Sequence, residues 1–152
     1  PPVGDQVWIA LQTLLSNKLP PKGSILGASE KQLCDECERK RDEKKIKTIY
    51  RNYEIIPDQE KCLLEQGLLC MGPVTRGGCR AQCVKANMPC RGCYGPPPNV
   101  KDQGAKMLSV LASVIDYADE REYENVIEKV ADPVGAFYMF GLANSLLRRL
   151  KK

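Results

Sequence analysis

Apolar residues recur at helical spacing near both ends of the chain and lose that period in the middle. Val7, Trp8, Leu11, Leu14 and Leu15 share one face of a 3.6-residue repeat, which predicts an amphipathic helix over 4–17. Leu19-Pro20-Pro21-Lys22-Gly23 ends it, because proline cannot continue the hydrogen-bond ladder. Loop or extended chain follows to Glu30. The charged run 38–47 reads as a solvated loop or short helix, or functionally as a docking patch for a partner. Residues 50–57 alternate too little for more than a short strand. Beyond Pro98, Met107, Leu108, Leu111, Val114 and Ile115 predict a helix over 101–119, and a shorter one follows over 121–130. Asp132-Pro133 pairs an N-cap residue with proline at the first helical position. Phe137, Phe140, Leu142, Leu146, Leu147 and Leu150 carry an apolar face to the end, as core or as a surface for a partner subunit. Arg148, Arg149, Lys151 and Lys152 suit the negative end of that helix's dipole.

The middle is different in kind. Residues 62–98 hold six cysteines, six glycines and five prolines in 37 positions, which forbids long regular elements. Something other than a hydrophobic core must order this stretch. The whole chain has eight cysteines and no histidine in 152 residues, against about two cysteines at average composition. Without imidazole there is no Ser-His triad, no His-metal cage and no His proton shuttle. A net charge of +4 is too small to argue for nucleic acid or an anionic membrane. No run approaches the roughly 18 apolar residues of a membrane span. Length and apolar content suit one ordinary globular domain. The chain opens on Pro1-Pro2 without methionine, which reads as a fragment, a processed product or part of something longer, and no secretory signal is visible.

Cysteine spacing narrows the chemistry. Cys34-x2-Cys37 is followed after 24 residues by Cys62; then come x7 to Cys70, x8 to Cys79, x3 to Cys83, x6 to Cys90 and x2 to Cys93. Eight thiols make two sets of four. Disulfides fit least, since the flanks already carry substantial apolar content and a two-residue gap more often marks a metal. Structural zinc takes two Cys-x2-Cys knuckles, and pairs 34/37 and 90/93 qualify, though far apart and with four cysteines between them. Iron–sulfur clusters accept the looser spacings. Glycine near Cys70 and Cys79 lets backbone N–H groups approach cluster sulfurs.

Four stretches then carry a resemblance: Cys34-Asp35-Glu36-Cys37, Glu60-Lys61-Cys62-Leu63-Leu64-Glu65-Gln66-Gly67-Leu68-Leu69-Cys70-Met71-Gly72-Pro73, Gly78-Cys79-Arg80-Ala81-Gln82-Cys83, and Asn87-Met88-Pro89-Cys90-Arg91-Gly92-Cys93-Tyr94-Gly95-Pro96. At these residues the chain resembles the small, electron-transferring iron–sulfur subunit of a cytoplasmic nickel–iron hydrogenase. The branch is that of the viologen-reducing, deazaflavin-non-reducing and sulfhydrogenase enzymes of archaea. The resemblance covers essentially the whole chain and is most specific over 34–106. It implies two 4Fe-4S clusters here. Cys34, Cys37, Cys62 and Cys70 match the ligands of the distal cluster, and Cys79, Cys90 and Cys93 those of the medial one. Respiratory relatives place histidine where this chain has Cys34, and proline opposite a missing iron where Cys83 offers a fourth thiolate. Both departures imply lower potentials, suited to cytoplasmic carriers.

The resemblance also gives Pro1-Pro2 a reading, since the last proximal ligand of that family directly precedes such a pair. Residues 1–30 are then an N-terminal helix and linker joining to a missing flavodoxin-like domain, which would hold a third, proximal cluster. Residues 31–98 form a two-cluster region and 99–152 a set of C-terminal helices. The expected fold is mostly α with irregular loops. No residue is assigned as acid, base or nucleophile. Electrons would pass between a nickel–iron large subunit and an iron–sulfur or flavin partner, in the cytoplasm, with no nucleic acid and no membrane span. Asp35, Glu36 and Glu65 read as solvated charge beside ligands. Arg76, Arg80 and Arg91 read either as surface arginines or as offsets to cluster charge. Trp8 and Tyr94 read as packing residues, with Tyr94 as a cover for the medial cluster. The rival readings are a zinc-stapled interaction module and a stand-alone two-cluster ferredoxin-like carrier. The latter lacks its usual Cys-x2-Cys-x2-Cys-x3-Cys run.

Overall fold

The computed structural model describes residues 3–42 and 45–148. Pro1-Pro2, Glu43 and Lys44 of the charged run, and the terminal Arg149, Leu150, Lys151 and Lys152 lie outside the described residues. Regular structure is helical: α1 Gly4–Leu15, α2 Gln82–Lys85, α3 Gln103–Val114, α4 Glu120–Glu128 and α5 Pro133–Tyr138. Single 3-10 turns occur at Leu33–Asp35, Gly72–Val74, Leu142–Asn144 and Leu146–Arg148. No sheet forms among the described residues. Isolated bridges tie the loops, such as Lys40 to Lys61, Ile46 to Ile115 and Tyr50 to Leu68.

The core lies between α3 and the loops ahead of it. Met107 and Leu111 of α3 are fully buried against Leu33, Ile46, Leu63, Leu68 and Val74. One face of α3 therefore closes over the cysteine-rich region, packing on the Gly72–Val74 turn, and another meets α5. The α3–α5 crossing is close because Gly104 has no side chain. A Cβ there would fall within the Tyr138 ring.

Three expectations are set against the structure. No strand forms over 50–57. The chain turns instead, with Glu54 N–H donating to Arg51 O and Glu54 Oε2 accepting from Arg51 N–H. The helix begun at Pro133 does not run to the end but breaks after Tyr138 into two 3-10 turns. Farther along, Leu146 N–H donates to Asp102 Oδ2 at 2.8 Å, which ties the last turns to the start of α3. The apolar face of that terminal stretch is not core either, since Phe137 is buried while Phe140, Leu142, Leu146 and Leu147 are exposed. The third concerns α1, which forms as predicted but buries none of its residues, and Trp8 is 59% exposed. Leu108 of α3 is likewise exposed.

Asp102 holds the C-terminal part together. Its Oδ1 caps α3 through Ala105 N–H at 2.8 Å while Oδ2 takes Leu146 N–H. Burial alone would raise its pKa, but these N–H groups and the Tyr138 hydroxyl outweigh burial and hold the carboxyl below its ordinary value. Asp102→Ala should lower stability by about 2 kcal/mol in denaturant unfolding, combining a lost cap with an unpaired N–H. The contribution is present above the ordinary value of 3.8 and is lost as pH falls through the lowered one. A loss below about 0.5 kcal/mol would remove Asp102 from this role.

Candidate metal centre

Cys34, Cys37, Cys62 and Cys70 line one cavity of about 170 Å³. Cys34 sits on the Leu33–Asp35 turn, Cys37 just after it, and Cys62 and Cys70 in the loops that α3 covers. Much of the wall is apolar: Leu33, Ile46, Leu63, Val84, Val110 and Val114. That wall makes ionisation costly. Burial, then the neighbouring Cys70, pushes the Cys34 thiol up to about 12, with Arg41 acting in the opposite direction. Burial pushes Cys70 up to about 11 and also raises Cys62. Backbone N–H groups aim at the same sulfurs. Cys70 Sγ accepts from Gly72 and from Cys90 N–H, the latter at 3.4 Å, and Cys62 Sγ from Glu65 and Leu64. Gly72 is what permits this approach. A Cβ there would stand 3.2 Å from Cys34 Sγ and 3.6 Å from Cys70 Sγ, in the space between the two sulfurs.

The second set is more open. Cys90 is buried, and burial pushes its thiol up to about 12, against N–H donation from Gly92 at 3.4 Å. Cys79 is half-buried and raised by burial, and it accepts N–H groups from Ala81 and Gln82. Cys79 lies within electrostatic reach of Cys93 and of Cys90. Cys79 thus neighbours both Cys90 and Cys93, while Cys90 feels Cys70 more than it feels Cys79. Cys83 lies on α2, half-buried, between Cys79 and Cys90 in the chain. Cys90 N–H donates to Cys70 Sγ, so the two cysteines adjoin.

Several residues around the thiols hold roles that the sequence pattern does not reveal. Thr75 and Gln103 are buried and linked: Gln103 Nε2 donates to Thr75 Oγ1 at 3.0 Å and to Gly92 O at 3.2 Å. The Thr75 side chain also reaches the Cys90 sulfur. Gln6 anchors α1, donating to Gly27 O and Gly78 O and accepting from the Tyr94 hydroxyl at 2.6 Å. Gly78 allows that junction, since its φ of +110° suits glycine and a Cβ would strike Gly27 O. Tyr94 stands within electrostatic reach of Cys79 and Cys93. Arg39, from the charged run, is buried rather than solvated. No periodic pattern could have singled out any of these, because each partner comes from a distant loop.

The acidic neighbours divide. Asp35 is exposed and accepts Gln32 N–H, in keeping with surface charge. Glu65 Oε2 accepts Asp42 N–H at 3.0 Å. Glu36 departs from the solvated reading: Oε1 accepts Gly78 N–H, and Oε2 is buried with no hydrogen-bond partner among the described residues. Of the three arginines, Arg80 pairs with Asp5 at 2.6 Å on the surface and Arg76 donates to Pro96 O. Arg91 lines an open cleft with Arg51 and Lys129.

The donor set fits a soft, thiolate-bound metal group. Among the described residues, no three Cys, Asp, Glu or His side chains converge tightly enough for a single metal ion. Thiols spread round a cavity suit a cluster, whose irons are bound at separate corners, better than one tetrahedral zinc.

Comparison with known proteins agrees. No protein-family model matches the chain. It is 37% identical over 154 residues to the F420-non-reducing hydrogenase iron-sulfur subunit of Archaeoglobus profundus, covering 98% of this chain and 47% of that protein. It is 45% identical over 120 residues to the corresponding F420-non-reducing hydrogenase subunit of Methanothermus fervidus, covering 74% of this chain and 93% of that one. The delta subunit of sulfhydrogenase 2 from Pyrococcus furiosus matches at 36% over 77 residues, 47% of this chain and 32% of its own length. The chain spans about half the length of the relatives that it matches nearly end to end, such as those of Archaeoglobus profundus and Methanothermobacter thermautotrophicus, at 47% in each case.

Gly72→Ala tests the first cavity. The added methyl should displace Cys34 or Cys70 and lower metal bound per chain by about half, with the second set unaffected. Full metal content in that variant would show that the space between these sulfurs is not used.

Proposed function

Because the chain belongs to the family of F420-non-reducing hydrogenase iron–sulfur subunits, we propose that it is the electron-transferring, cluster-binding segment of a nickel–iron hydrogenase. The observation that carries this reading is the cavity that Cys34, Cys37, Cys62 and Cys70 share. In a family whose named members include an iron-sulfur subunit, that arrangement supports a 4Fe-4S cluster on these four thiols. A second cluster falls to Cys79, Cys83, Cys90 and Cys93. Such clusters supply one-electron carriers when bound.

The chain's own residues do the rest. The apolar wall of Leu33, Ile46, Val84 and Val114 keeps water from the first set. N–H groups of Gly72, Cys90, Gly92, Ala81 and Gln82 point at ligand sulfurs, which favours the reduced state. In this reading electrons pass between the nickel–iron site of a large subunit and a partner redox subunit with an iron–sulfur or flavin centre. A proximal cluster lies in a flavodoxin-like half joined to residues 1–30. The exposed apolar faces of α1 and of residues 140–147 support burial against such partners, since a solitary domain rarely leaves two such faces to water. No helix among the described residues is long and apolar enough to cross a membrane.

Metal and sulfide analysis of the native protein tests the reading. Two 4Fe-4S clusters on this segment mean about eight iron and eight labile sulfide, with a brown colour. A colourless segment with about two zinc would replace it with a structural zinc module. Cys83→Ala should turn one cubane toward a three-iron species by electron paramagnetic resonance. An unchanged spectrum would remove Cys83 from the ligand set.

A further inference from the structure

Arg39 is the one buried cation among the described residues, and the proposed chemistry leaves it unused. Only 9% exposed, it stands at the wall of the four-thiol cavity. Its guanidinium Nη1 donates to Asp58 O at 2.6 Å and Lys61 O at 2.9 Å. Nη2 donates to Val84 O at 3.1 Å and to Asn87 Oδ1 at 2.6 Å. Asn87 is held in turn, its Nδ2 donating to Pro57 O at 2.9 Å.

Two features of this arrangement matter. First, the four acceptors lie on two separate segments, 58–61 and 84–87. Lys61 directly precedes Cys62 of the first set, and Val84 directly follows Cys83 of the second. Second, every acceptor is a neutral oxygen. Among the described residues no carboxylate comes within ion-pair distance of Arg39, and the exposed Asp58 side chain feels its charge only weakly. A buried cation without an anion is costly unless an anion is supplied. Thiolate-bound clusters are anionic, and one on the first four thiols would stand in the cavity whose wall includes Arg39, while Val84, which Arg39 holds, adjoins Cys83 in the chain.

We propose that Arg39 is a positioning residue shared by both cysteine sets. It clamps the chain beside Cys62 and beside Cys83, and its fixed charge offsets the anionic groups held there. One-electron reduction adds one negative charge and no proton to the site, so a fixed cation makes that reduction easier. This inference rests on the cluster reading above.

The test is a redox titration, followed by electron paramagnetic resonance, of the intact complex carrying Arg39→Gln or Arg39→Lys. Arg39→Gln should lower the reduction equilibrium of at least one cluster by about tenfold, which is about 59 mV for one electron. Arg39→Lys, which keeps the charge and loses the fork, should stay near the unaltered protein in potential while binding its clusters less firmly. Equal potentials in Arg39→Gln and the unaltered protein would overturn the proposal, and so would equal shifts in the two variants. If Arg39→Gln loses one cluster, the potential of the other still decides. If it loses both, retention of both at unaltered potential in Arg39→Lys supports the charge role, and loss of both there leaves only a structural role and overturns it. An unaltered protein without iron would contradict the cluster reading itself, before any variant is compared.

Discussion

Thiols in an apolar wall set the terms on which the middle of this chain can be ordered. Burial moves Cys34 and Cys90 to about 12 and Cys70 to about 11, so the charged form of each is strongly disfavoured by the protein alone. A metal reverses that balance, because it binds the thiolate and supplies the opposing charge. The loops around the cavity are built for the same end. Their N–H groups point at sulfur, and Gly72 leaves no side chain between Cys34 and Cys70. In the proposed reading, a segment with so few regular elements would gain its order from ligand bonds and from the α3 face that covers it.

That dependence explains how the helical parts are arranged. α3 packs its buried face, through Met107 and Leu111, on the cysteine-rich region. α5 is fixed to α3 by the close Gly104–Tyr138 contact, and the following turns by Asp102. α1 is tied by polar bonds at its first turn only, from Val3, Asp5 and Gln6 to Tyr94, Arg80 and the Gly27–Gly78 junction. The rest of its apolar face stays open. In the proposed assembly α1 and the terminal turns face other polypeptide, and α3 faces the clusters.

Much of this was legible in the sequence where one physical rule dominated. The periodicity of Val7 to Leu15 placed α1, and Asp132-Pro133 placed the start of α5, because spacing and capping are local effects. Cysteine spacing pointed to paired four-thiol sites, and the structure brings the first four thiols round one cavity. What escaped was non-local. The last turns are held where Asp102, 44 residues away, takes Leu146 N–H. Arg39 sits in a run of charges and is buried only because carbonyls from two distant segments, one at 58–61 and one at Val84, meet there. Helical spacing likewise marks a face as apolar without saying what covers it, which is why α1 was read as amphipathic and is found uncovered.

The central claim is that cluster ligation, more than hydrophobic burial, orders residues 62–98. Amide hydrogen exchange on the native complex, before and after chelation of its iron, tests it most directly. The account predicts that protection at Cys70, Gly72, Ala81, Gln82 and Gly92 collapses on iron removal, while Met107 and Leu111 in α3 keep most of theirs. Unchanged protection through 62–98 after complete iron loss would contradict it.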